Sequence, residues 1–193
     1  MIEYVARGFE GVKGLTGLPE PLLEAHLKLY AGYVRNLNLL RGRLAGTKPG
    51  SPEFSELHRR VGFEINGMRL HELYFENLSP GGGAPGAGAL AVLGKDWGSF
   101  DAWRADFTAL GALRGVGWVI LYRDPVGGAL SNHWIGLHEE GHPAGFRPLL
   151  VMDVWEHAFS GMERANYVEA FLANASWEAV ETRLTSESSG ARP

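Results

Sequence analysis

Near its C-terminal end the chain reads Asp153-Val154-Trp155-Glu156-His157, a carboxylate and an imidazole four residues apart, flanked by apolar residues 149–152 and Ala158-Phe159. On a helix, four residues is just over one turn, so both groups would face the same way. Polar groups set among apolar neighbours need partners, and a metal ion is one of the few good ones. The competing reading is an i,i+4 pair that staples a helix, and spacing alone favours it.

Seven histidines are present, at 26, 58, 71, 133, 138, 142 and 157. His58 sits among Glu56, Arg59 and Arg60, the setting of a solvated helix residue. His26 and His71 fall on the apolar stripes of two long helical segments, where an imidazole must find a partner. Either alone reads as a satisfied core histidine. Joined to Asp153 and His157, they make a three-histidine, one-carboxylate set. The chain has no cysteine, which excludes disulfides and thiolate metal sites. A metal would therefore be held by imidazole and carboxylate, ligands that suit iron, manganese or zinc.

A second pattern competes for attention. His138-Glu139-Glu140-Gly141-His142 matches the H-E-x-x-H of zinc metallopeptidases, which works only on a helix that puts both imidazoles on one face. Gly136, Gly141, Pro143 and Gly145 crowd this stretch, and Pro143 pushes His142 toward extended geometry. A helix is not expected there, and the peptidase is the least favoured alternative.

The elements that must position these groups follow from periodicity. From Pro19 to about Leu44, Leu22, Leu23, His26, Leu29, Tyr30, Tyr33, Val34, Leu37 and Leu40 recur at helical spacing. A second helix is expected from Pro52 to Asn77, with Phe54, Leu57, Val61, Ile65, Met68, His71 and Phe75 on one face, making an antiparallel hairpin. The glycine-rich run 81–88 is the clearest boundary, dividing residues 1–82 from an α/β domain at 88–193. Short helices near 88–93 and 99–113 precede strands at 115–122, 130–137 and 148–152, and two amphipathic helices close the chain. The tail from Ser186 reads as frayed. The fold class is α+β: a helical hairpin, then a three-stranded antiparallel sheet with helices. Hydrophobic content of 45% with 21% charged is ordinary globular composition, and the net charge of −4 argues against nucleic acid as a partner. No segment approaches membrane-spanning length and the N-terminus lacks an apolar core, so a cytoplasmic protein is expected.

Four segments carry a resemblance. Asp153 to Ala158 spells D-V-W-E-H-A, the signature stretch of the iron/manganese superoxide dismutases. Glu24-Ala25-His26 followed by Tyr33-Val34-Arg35-Asn36-Leu37-Asn38 resembles the first helix of that family. His71 to Pro80 resembles its H-x-x-F/Y-W-x-x-L-x-P, and Gly98-Ser99-Phe100 with Gly115-Val116-Gly117-Trp118 resembles its G-S-F and G-S-G-W. Asn166 to Phe171 and Trp177-Glu178 complete a likeness that runs from about Pro19 to Leu184.

The resemblance implies a superoxide dismutase with His26, His71, Asp153 and His157 holding one iron or manganese ion, with a lean to iron, and solvent as a further ligand. Superoxide would be the substrate. Tyr33 would guard the substrate funnel, on a first helix more regular than the family's because seven residues rather than eight separate it from His26. Tyr30 stands where a funnel histidine is common, Arg164 matches the family's funnel arginine, and Trp118 and Trp155 would wall the pocket. Glu156 lies at the family's dimer contact, reaching the partner's ligand histidine, so a homodimer, or a homotetramer, is implied. The family's outer-sphere glutamine is missing, with Gly67 at one of its positions. His142, eleven residues before Asp153, is the expected replacement, with Gly67 leaving it room. Phe159 and Ser160 replace paired tyrosines, which keeps a non-catalytic metal-binding homologue as the alternative.

Overall fold

The computed structural model describes residues 3–186. Its N-terminal half is a pair of long helices, α1 (Glu20–Ala45) and α2 (Pro52–Glu76), packed against each other. Proline at the first turn of each suits a position whose N–H has no intrahelical acceptor, and the Ser51 hydroxyl caps α2 by accepting from Phe54 N at 3.1 Å. The buried stripe of α1 is Leu23, His26, Tyr30, Val34 and Leu37, steps of three and four residues that keep one face inward. The helix is α-helical without interruption from Glu20 to Ala45, so His26 and Tyr33, two turns apart, lie on one side.

After the glycine-rich link come α3 (Ala87–Trp97) and α4 (Phe100–Gly111), the latter capped by Ser99. Three antiparallel strands follow, β1 (Gly117–Arg123), β2 (Leu130–Gly136) and β3 (Arg147–Asp153), in the order β2-β1-β3. The β1–β2 hairpin turns on Asp124, whose carboxylate accepts from Val126 N at 2.8 Å and Gly127 N at 3.0 Å. Opposite Tyr122, Pro148 has no N–H to give the ladder, and the β1–β3 register shifts there. Central β1 as far as Tyr122 and the inner part of β3 are buried, matching their continuous apolar runs. The expected strands and helices are all present, with the first described residues irregular apart from one short 3-10 turn. Residues beyond Ser186, expected to fray, lie outside the described part of the chain.

The closing helices α5 (Arg164–Ala173) and α6 (Trp177–Thr185) join the two halves. Asn77, at the end of α2, accepts from Val151 N at 3.0 Å through its side-chain oxygen, which also receives Arg183 of α6 at 2.9 Å. This fastens the exit of α2 to the middle of β3, one turn and a half past His71 and two residues before Asp153.

Candidate metal centre

Asp153 is the last residue of β3, not part of a helix. His157 follows in a 3-10 turn over Glu156–Phe159. A helix staple is therefore not what pairs them. The Asp153 backbone is held from two sides: Val154 N donates to Gly117 O at 2.9 Å, and the Tyr167 hydroxyl donates to Asp153 O at 2.6 Å. Its Oδ1 accepts from Trp155 N at 2.8 Å, which turns Oδ2 toward the hairpin. There it meets His26 Nε2 and His157 Nε2, each at 3.1 Å, and His71 Nε2 at 3.7 Å. One donor atom from each of the four residues falls within 4.8 Å of the others.

Whether this set suits a metal ion is decided by an orphan atom aimed into it. His71 Nδ1 donates to Gly67 O at 2.6 Å, one turn back on α2, and that bond leaves the lone pair of Nε2 pointing into the cluster. This Nε2 is buried and has no partner. Three imidazoles and a carboxylate converge on one point, with His26, His71 and Asp153 no more than 2% exposed, and the buried lone pair of His71 Nε2 is costly without a cation to receive it. Burial pushes the proton affinity of His71 down to about 3 and lowers that of His26. Burial opposes ionisation of Asp153, but hydrogen bonds from His157 and His26 outweigh it and hold the carboxyl below its usual range. Neutral His26 and His71 beside an ionised Asp153 are donor states that a first-row transition metal needs.

Comparison with known proteins gives the same answer. The family model for the C-terminal domain of iron/manganese superoxide dismutases matches residues 86–183. The iron superoxide dismutase of Cupriavidus metallidurans is 38% identical across 95% of this chain and 96% of its own. That of Saccharolobus solfataricus is 35% identical over 80% of this chain, and the manganese superoxide dismutase of Mycolicibacterium smegmatis is 34% identical over 86%, covering 79% and 84% of those proteins. The chain belongs to the iron/manganese superoxide dismutase family.

The buried His26, His71, Asp153 and His157 group is the counterpart of the metal site of these dismutases. Around it the other expected residues take distinct places. The Tyr33 ring lies 5.1 Å from that of His71, over Gly67, where an added Cβ would come within 2.5 Å of the ring. Trp118 stands edge-on to His71 at 5.0 Å, and Trp155 lies near-parallel to His157 at 6.0 Å. Tyr30 is buried behind His71, with its hydroxyl accepting from Arg7 N and donating to Glu72, each at 3.0 Å. The Arg164 guanidinium donates to the carbonyls of Leu113, Gly115 and Val154. Glu156 is exposed beside the partly exposed His157.

His142 lies elsewhere than expected. Its Nδ1 meets the Tyr122 hydroxyl at 2.7 Å and its Nε2 meets His138 O at 3.0 Å. The imidazole that reaches the site wall is that of His138, four residues earlier and fully buried. Trp118 Nε1 donates to His138 Nδ1 at 2.9 Å, and His138 Nε2 lies 2.8 Å from the Tyr33 hydroxyl. Residues 137–139 form a turn, not a helix, and the two histidines of the H-E-x-x-H string point to different partners, so that string builds no zinc pair. Two supports of His138 have no periodic signal in the sequence. Asn66 donates from α2 to His138 O at 2.7 Å, and Leu137 is the one non-glycine with positive φ, +53°, among the described residues.

Proposed function

We infer that the chain is a superoxide dismutase in which His26, His71, Asp153 and His157 hold one ion and Trp118, His138 and Tyr33 form a directed hydrogen-bond chain beside it. Bound iron or manganese supplies the one-electron cycling that turns two superoxide anions into oxygen and hydrogen peroxide. The protein's part is to hold the donors and manage protons. An indole N–H can only donate, so His138 Nδ1 is the acceptor and Nε2 carries the proton. That proton is donated to the Tyr33 oxygen, which frees the Tyr33 O–H to donate toward the space in front of His71. Burial pushes Tyr33 up to about 12 and His138 down to about 4, so at neutral pH the first stays protonated and the second uncharged. His138, rather than His142, is our outer-sphere residue.

Iron is the metal we favour, because the relatives at 38% and 35% identity are named iron enzymes; the relative at 34% is named a manganese enzyme. We further propose that two copies pair through the surface carrying Glu156, which stands exposed next to a ligand histidine that is itself only partly covered.

The observation that carries the function is the convergence of four donor atoms around an unpartnered, buried Nε2. Metal analysis and a superoxide-dismutation assay on the purified protein test it. Iron or manganese with activity is expected; metal without turnover would support a non-catalytic homologue, and zinc with peptide cleavage would overturn both. His71→Ala should abolish metal retention, and unchanged metal content in that variant would refute the ligand set.

A further inference from the structure

One charged pair lies beside the gate and has no part in the site described so far. Arg60, Phe63, Glu64 and Gly67 are spaced by three and four residues on α2, so they share one face, and Gly67 is the residue under the Tyr33 ring. Arg60 donates through Nε to one oxygen of Glu64 at 3.0 Å, and its Nη2 lies 2.9 Å from the same oxygen. Its guanidinium carbon stands 4.0 Å above the Phe63 ring, whose other neighbours are His138 at 4.5 Å and Tyr33 at 6.3 Å.

The two partners are unequal. The Arg60 side chain is 50% exposed, whereas that of Glu64 is 2% exposed, and its second oxygen is buried with no partner. Burying a carboxylate with half its accepting capacity unmet is expensive. What the arrangement secures is a fixed cation, stacked on an aromatic ring, at the edge of the Tyr33–His138 gate. Superoxide is an anion and the protein carries a net charge of −4, so a local positive charge has something to overcome. Arg164, the cation expected in this role, donates to three backbone carbonyls, which fix its guanidinium and leave its charge intact, so a pull from Arg60 would add to it.

We propose that Arg60, held by Glu64 across Phe63, is a further cation that draws superoxide to the Tyr33–His138 gate, and that the Glu64 charge, which partly offsets it, sets how strongly it does so. This rests on the dismutase reading. The same balance reaches the gate electrostatically: Arg60 lowers the proton affinity of both Tyr33 and His138, while Glu64 raises that of Tyr33.

The two residues should act with opposite signs, which a merely structural role would not produce. In metal-loaded protein, Arg60→Gln should lower kcat/KM roughly two- to tenfold at low ionic strength and flatten its dependence on salt. Glu64→Gln should raise kcat/KM and steepen that dependence, the double variant should return toward the unaltered value, and Arg60→Lys should rescue. Azide affinity, measured by calorimetry at matched metal content, should follow the same order. Parallel salt dependences in the unaltered protein and the two single charge-removing variants, or both of those variants moving in one direction, would overturn the proposal. If the unaltered protein holds metal but does not turn over superoxide, the dismutase reading fails, while the azide series still decides whether Arg60 collects small anions.

Discussion

At the scale of single residues, the proton arrangement beside the metal centre is fixed by Trp118. Its indole leaves His138 one tautomer, and that tautomer makes the Tyr33 oxygen an acceptor. His138→Ala should therefore keep its metal and lose roughly 10- to 100-fold in kcat, whereas His142→Ala, which removes a bond to Tyr122, should change kcat far less. Steady-state rates normalised to metal content check this. The metal-free protein should also be acid-sensitive in a defined window. In the unfolded chain His71 and His138 take protons from about pH 6.5 downward, but in the folded protein only near 3 and 4. Stability is thus full above pH 6.5 and falls as pH drops toward 4, by on the order of 2–3 kcal/mol from His138 alone. Asp153, held below its usual range, adds its own loss only at lower pH. Urea unfolding at pH 7, 6, 5 and 4 should show this decline, shallower in His138→Gln; a flat profile would contradict it. The four ligands were legible because three lie in apolar runs where an imidazole or carboxylate is conspicuous. His138 was not, since counting back from Asp153 crosses an irregular loop. The strand register carried a usable signal: the Asp124 turn pairs Trp118 with Ile135, which brings residues just past Gly136 beside the indole.

Elements set how closely these residues can approach. The hairpin was readable because its apolar positions repeat at three and four residues over six or more turns, a signal that accumulates with length. The turn carrying His138 has no such periodicity. Its shape depends on Leu137 at φ +53° and on the Asn66 amide reaching across from α2, a contact between residues 72 positions apart. Gly67 is the equivalent device on the helix. It serves by lacking a side chain, since the Tyr33 ring occupies the space a Cβ would need. Gly67→Ala should force that ring off His138, costing roughly 1–3 kcal/mol of stability and lowering kcat while metal content holds. Thermal unfolding and metal-normalised rates report both effects. A variant with unchanged turnover would mean that the Tyr33 position is not set by this contact. Leu137→Asn, which tolerates the left-handed region better, should by contrast raise stability slightly and leave turnover near its starting value.

Over the whole molecule, the donor set ties parts that are far apart in sequence. His26 comes from α1, His71 from α2, Asp153 from the end of β3 and His157 from the turn beyond it. An ion bound by all four therefore closes a further link between the N-terminal hairpin and the sheet, which also meet through apolar packing, the bonds of Asn77 to Val151 N and Leu149 O, and the contacts of Asn66 and Tyr33 with His138. Because the unfolded chain cannot hold these atoms within a few ångströms of one another, binding free energy becomes folding free energy. Metal at about a thousand times its dissociation constant stabilises by about 4 kcal/mol, which for a chain of this size corresponds to a rise of roughly 8–16 °C in Tm. Chelation should remove that increment, and His71→Ala should melt near the metal-free value whether or not metal is added. Hydrogen exchange locates the effect: on metal removal, amides near residues 26, 71 and 153–159 should lose protection first, while those of α4 at the far side of the sheet lag behind. Uniform loss across the chain would instead mean that the ion supports one cooperative core and not a local link between its halves.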